Sequence, residues 1–210
     1  MAAASTRHAL LVGACALASV AWADPPDKFL IRCEGVLGPD MTVTRLEEAF
    51  GAEQVRSAEL YLGEGKTEAG TALFAPVLDE MIQVFWKDPP QKHSPRFLRV
   101  NGRTSRWHTV QGITLGSDLQ TLERINGRSF ILKGFGWDYS GTVVSWLGGF
   151  LETAFSPCRF VVRFIAEQKE PGPEWFLWYE QVIGDREFQS TYFAMQSLNP
   201  RIRAIELHYP

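Results

Sequence analysis

Leu46-Glu47-Glu48-Ala49-Phe50-Gly51 and Leu122-Glu123-Arg124-Ile125-Asn126-Gly127 share one pattern at two places in the chain. Each closes a short amphipathic segment with an inward leucine and a glycine at the exit, the residue that takes a left-handed helix end most readily. Upstream of the first, Thr44 and Glu47 have the spacing of a capping box. Upstream of the second, Ser117 or Asp118 offers a side-chain oxygen to the first free N–H groups. Each helix is followed by a β-rich stretch. The chain therefore reads as α+β, with two helix-then-antiparallel-meander units forming a degenerate tandem repeat of period 76 residues.

Working outward, alternation of apolar and polar residues predicts an opening strand from Lys28 to Val36. In the first unit, strands are expected around Ala58–Leu62, Thr71–Phe74 and Met81–Trp86, with a turn at Gly63-Glu64-Gly65. Asp88-Pro89-Pro90 ends this half, because neither proline can donate to a ladder. In the second unit, strands are expected at Ser129–Gly136, Thr142–Leu147, Arg159–Ile165 and Trp175–Ile183. Turns fall at Asp138-Tyr139-Ser140-Gly141 and Glu170-Pro171-Gly172-Pro173. Tyr192–Leu198 reads as one or two helical turns, and Arg201–Tyr209 as a last strand with Arg203, Ile205, Leu207 and Tyr209 on one face. The domain reading is a single α+β domain over 24–210, with sub-units 24–90 and 110–210 and a linker around 88–96.

Composition is that of a globular chain, with 45% hydrophobic, 21% charged and 12% aromatic residues among 210. Met1–His8, the apolar run Ala9–Val20 and Ala21-Trp22-Ala23 together match a secretory signal peptide over residues 1–23, cut after Ala23. A second reading takes Val12-Gly13-Ala14-Cys15 as a lipobox and Cys15 as a lipid-anchored N-terminus. The apolar run is shorter than the roughly 20 residues that span a bilayer, so no transmembrane segment is expected. Losing Arg7 with the leader moves the formal charge from −3 to −4, which argues against a nucleic-acid partner. Periplasm or secretion is the expected location.

Two cysteines remain, Cys33 and Cys158. In an oxidising compartment an even count suggests one disulfide, and both sit in apolar-alternating contexts that place their sulfurs inward. Two buried free thiols are the alternative.

The string Gly112-Ile-Thr-Leu-Gly-Ser-Asp-Leu119, then Leu122–Gly127 and Gly134-Phe-Gly-Trp-Asp-Tyr-Ser-Gly141, resembles a group of exported bacterial proteins with no established activity. Thr71–Phe74, Val84–Asp88 and Asn199-Pro200 extend the likeness over most of the chain. It implies an envelope location and a shared fold, and carries over no catalytic residue. The helix-then-meander order is also similar in topology to β-lactamase inhibitory protein and to small outer-membrane assembly lipoproteins, which bears on fold and not on function.

Strong chemical motifs are absent: no His-Glu-x-x-His, Cys-x-x-Cys or Gly-x-Ser-x-Gly occurs, and Gly134-x-Gly136 lacks the third glycine of a dinucleotide turn. No metal or cofactor is implied. His93, His108 and His208 are the three candidate bases; surface solvation explains His93 and His208 more simply, and His108, beside Trp107, is the best of them. Glu64 or Glu68 with Asp79 would be the carboxylate pair of a glycan hydrolase, against the simpler reading of solvated acidic loops. The basic run Lys87–Arg106 reads as the internal complement of the acidic stretch 47–80. Trp137, Asp138 and Tyr139 at a turn, with Trp146, Trp107 and His108, are the candidate binding residues, against a reading in which the tryptophans fill the core. The function expected is a non-enzymatic, exported binding protein of the bacterial envelope that engages a protein partner through a sheet face or aromatic turn edge. A glycan-acting hydrolase and a carbohydrate-binding module are the alternatives.

Overall fold

The computed structural model describes residues 27–168 and 171–210. The leader over 1–23, its cleavage after Ala23, the lipobox at Cys15 and the Glu170 end of the 170–173 turn lie outside the described residues. In chain order the elements are β1 (Leu30–Ile31), α1 (Val43–Phe50), β2 (Val55–Gly63), β3 (Lys66–Leu73), β4 (Ile82–Asp88), β5 (His93–Asn101), β6 (His108–Thr109), α2 (Leu119–Asn126), β7 (Ile131–Lys133), β8 (Val143–Ser145), β9 (Arg159–Ile165), α3 (Pro173–Gln181), β10 (Glu187–Gln189), α4 (Phe193–Leu198) and β11 (Arg201–His208).

The two hexamers do occupy the same helical position. Leu46 and Leu122 are fully buried, and Gly51 and Gly127 terminate α1 and α2 at positive φ of 93° and 75°. Asp118 caps α2 by accepting from the Thr121 N–H at 2.8 Å. The cap of α1 is Thr42, whose hydroxyl accepts from the Arg45 N–H at 3.2 Å, and not Thr44, which lies inside the first turn.

Beyond the helices, the halves diverge. β2 to β5 form a consecutive antiparallel meander, but β5 then pairs with β11 and β11 with β9, giving a six-stranded sheet of order β2-β3-β4-β5-β11-β9. β7 pairs on one side with β10 and on the other with β8 in a separate three-stranded sheet, and β1 pairs in parallel with β6. Residues 88–96 hold the β4–β5 hairpin turn and the start of β5, with Asp88 opposite His93.

Three further expectations are corrected. The opening strand shrinks to two residues, followed by a 3₁₀ turn at Gly35–Leu37. Cys33 and Cys158 therefore lie just past β1 and just before β9, not within strands; they are at disulfide-bonding distance, with Cα atoms 5.8 Å apart. Trp175–Ile183 is not a strand, because Pro173 sits at the first helical position and Trp175, Trp178, Tyr179 and Val182 recur at the spacing of one helix face.

One hydrophobic core, running from Phe29 to Tyr209, fills one side of the large sheet and takes in Leu98, Val100, Phe160, Val162, Ile205 and Leu207. The opposite face carries a smaller cluster of Leu60, Ala72, Phe85 and Phe97. At Gly70 an added Cβ would overlap the Leu60 side chain, so glycine there lets β2 close down over that face.

Candidate functional site

The structure divides the six candidate binding residues. Trp107 is fully buried, edge-on to Phe29 at 5.4 Å, and its indole N–H donates to the Glu80 carbonyl at 2.6 Å. Trp146 is buried between Phe130 and Phe160 and donates to the Phe160 carbonyl at 3.3 Å. Both are core residues with no face to offer a partner. His108, on β6, has Nε2 3.0 Å from the Asp27 carboxylate and Nδ1 2.9 Å from the Arg106 carbonyl.

Trp137, Asp138 and Tyr139 stay together at the surface. Their turn is closed by hydrogen bonds from the Ser140 and Gly141 N–H groups to the Trp137 and Gly134 carbonyls, each 3.0 Å. Gly141, at φ +66°, is packed so tightly on the Phe164 carbonyl that a Cβ would overlap it, which locks the turn against β9. Trp137 is half-buried and meets Tyr139 edge-on at 5.4 Å, while Asp138 and Tyr139 are exposed.

On the sheet's outer face the structure assembles a polar group that alternation alone assigns to solvent. The Glu206 side chain is only 3% exposed. It accepts from Arg99 Nε at 2.8 Å and from His208 Nε2 at 2.7 Å, and Arg163 lies 3.4 Å away. Burial would raise its pKa, but the His208 hydrogen bond and the charges of Arg99, Arg163 and His208 prevail and hold the carboxyl down at about 2. Arg99 also donates to the Tyr61 carbonyl at 2.8 Å, tying the β2–β3 hairpin across the face. His208, Phe97 and Phe85 stack in a row, with centroids 4.9 and 4.2 Å apart.

Farther along the strands, past Arg99, a cavity of about 270 Å³ is walled by Tyr61, Arg99, Asp138, Ser140, Arg163 and Arg203. A second of about 530 Å³ adjoins it, sharing Gly102, Ile165 and Arg203. The Asp138 turn is thus the one part of the sequence-predicted site that reaches a concave surface.

Helix α3 is the feature that a strand reading misses. Its inward face, Trp175, Trp178 and Tyr179, is only half-buried, and no residue of the helix is fully buried. Trp175 stacks on Tyr179 at 4.7 Å, and Trp178 meets Phe193 of α4 edge-on at 4.9 Å. Phe176, Leu177 and Phe193 are 50%, 59% and 64% exposed, and Ile183 and Tyr192 are exposed with them. The proline at the helix start and the 175/178/179/182 spacing are the signals that would have found it.

Two of the hydrolytic candidates, Glu64 and Glu68, meet cations instead of one another. Glu64 pairs with Lys66 at 3.5 Å, and Glu68 with Arg96. Glu80, beside Asp79, pairs with Arg106. The basic run is thereby partly neutralised by the acidic one. None of Glu64, Glu68 and Asp79 lines either of the two adjoining cavities. Among the described residues, no cluster of three or more His, Cys, Asp or Glu is placed to hold a metal ion, and no helix is long and apolar enough to cross a membrane. No protein-family model, curated protein or solved structure matches the chain.

Proposed function

We propose that this is an exported envelope protein that works by binding another protein, and that the docking surface is the aromatic face of α3 with the start of α4. The observation that carries the reading is the concentration of exposed apolar side chains there. Phe176, Leu177, Ile183, Tyr192 and Phe193 fall within eighteen residues, the largest such group among the described residues, where Val144, Leu147 and Phe150 and the pair Val77 and Leu78 form smaller ones. Exposed apolar side chains gathered in this way on a folded protein favour an interaction site over a solvated face. Aromatic side chains suit it because they give large contact area with few rotatable bonds to fix.

Charge indicates the partner's chemistry. Glu174 and Glu180 are exposed on α3, and Asp185 and Glu187, just beyond it, share Lys133 at 3.2 and 3.1 Å, with exposed Arg186 between them, so acids outnumber cations four to two. An apolar surface with an acidic rim fits a partner with apolar anchors inside a basic rim, and such binding weakens as salt is added. The disulfide-bonded pair Cys33–Cys158 fits an oxidising compartment.

The test is capture of envelope proteins on the immobilised, disulfide-bonded protein, repeated with L177E and F193E and with V110E as an exposed apolar control elsewhere. Loss of the captured partner with L177E and F193E, at unchanged melting temperature and with V110E still active, is the expected result. Equal capture by all four proteins would overturn the site.

A further inference from the structure

We propose a second site, separate from α3: the cavity at the end of the sheet's outer face binds a small ligand through an oxyanion, a phosphate or carboxylate group, received by Arg203. Ile202 of β11 lies opposite Phe164 of β9, and Ala204 opposite Arg163, so Arg203 is an extra residue with no partner on β9. A bulge of this kind bends the strand and re-aims the extra side chain. Here it takes Arg203 out of the face of Ile205, Leu207 and Tyr209 and brings it to the wall shared by the two cavities. The backbone is held in place, since the Gly102 N–H donates to the Arg203 carbonyl at 3.1 Å.

The neighbouring guanidiniums are already engaged. Arg99 and Arg163 hold Glu206, Arg103 pairs with Glu167 at 3.4 Å, and Arg201 pairs with Asp118 at 3.4 Å. Arg203 alone of the five makes no ion pair among the described residues. Arg163 also lines the cavity, with its Nε buried and without a hydrogen-bond partner. Guanidinium donors are planar and paired, and match the two oxygens of a carboxylate or phosphate. The buried Glu206 behind them keeps Arg99 and Arg163 in fixed positions, so the wall is built before any ligand arrives. Asp138, which lines the same cavity, opposes an anion and so limits its affinity. The exposed ring of Tyr61 gives the remainder of the ligand a flat surface. The two volumes together are of the size that small-molecule sites occupy.

The experiment follows backbone amide shifts of the ¹⁵N-labelled, disulfide-bonded protein during titration with inorganic phosphate, citrate, and chloride at matched ionic strength. The expected result is saturable change at Gly102, Ser140 and Ala204 with phosphate or citrate and not with chloride; whichever saturates at the lower concentration identifies the group. R203Q should weaken that binding by roughly tenfold or more, the loss of a charge-assisted hydrogen bond. R124Q, an exposed arginine on α2, should not change it. D138N should tighten binding, a gain that misfolding cannot imitate. Shifts spread over exposed lysines and arginines, no excess over chloride, equal behaviour of R203Q and R124Q, or no gain in D138N would each overturn the proposal.

Discussion

Substituting Glu206 by glutamine tests whether the outer face is organised by charge. Glutamine keeps the shape of the protonated acid, so E206Q compares the ionised and neutral forms at one position. A carboxyl held at about 2 against an ordinary 4.5 corresponds to a carboxylate favoured by about 3 kcal/mol, at roughly 1.4 kcal/mol per tenfold change in acidity. The side chain is 3% exposed, so solvent screening removes little of this. Because the folded-state pKa is depressed, the stabilisation is complete above the unfolded value near 4.5 and is lost as pH falls through about 2. E206Q is therefore expected to be about 3 kcal/mol less stable than the parent at pH 7. The gap should fall below about half of that at pH 3 and approach zero near pH 2. Urea unfolding followed by tryptophan fluorescence at pH 7, 5, 4 and 3 measures it. A gap below about 1 kcal/mol at pH 7, or one that stays constant down to pH 3, would refute the reasoning, since an uncharged packing role gives no pH dependence.

Three further outcomes are expected. T42A should lose about 1 kcal/mol by removing the α1 cap while T44A loses under about 0.5 kcal/mol, and paired urea titrations distinguish the two threonines. Reduction of the Cys33–Cys158 bond, whose residues are 125 apart in sequence, should remove roughly 4–5 kcal/mol if loop-closure entropy governs; the C33S/C158S protein should match the reduced parent and be insensitive to dithiothreitol. G134A places a Cβ 2.5 Å from the Val182 and Gly184 carbonyls, so it should cost about 1–3 kcal/mol. It should also alter Trp175 and Trp178 fluorescence, because the clash falls where α3 ends.

Local signals carried much of the fold. Clean alternation located β9 at Arg159–Ile165 to the residue, the Gly63–Gly65 turn located the β2–β3 hairpin, and leucine-to-glycine spacing located both helix ends. Helix starts were harder, because Thr42 and Thr44 have equal chemistry and differ only in which backbone leaves the extended region first. Sheet order was not legible at all. The pairing of β5 with β11 joins residues about a hundred apart, and nothing in the periodicity of either strand names its neighbour. The same nonlocality hid Glu206 and His208. Their alternation assigns them to a solvent face, yet Glu206 is buried and His208 half-buried on a face where Arg99 ties the β2–β3 hairpin down through the Tyr61 carbonyl.

The misreading of α3 has a different cause, and it bears on function. A helix in a globular protein is recognised by the contrast between its buried and solvated faces. Trp175, Trp178, Tyr179 and Val182 supply the buried face in the proper rhythm, but Phe176, Leu177 and Ile183 interrupt the contrast by placing apolar groups where charge belongs. With both faces apolar, a short run is as compatible with a buried strand as with a helix. The residues that defeat the pattern are the exposed ones proposed to meet the partner. Local consistency is the general condition of foldability, and departures from it concentrate where selection serves something other than the fold. A chain free of that demand could carry Glu or Lys at 176, 177 and 183 and gain solubility without touching its core. L177E and F193E are therefore expected to leave stability within about 0.5 kcal/mol of the parent while removing binding, which separates a surface kept for a partner from one kept for packing.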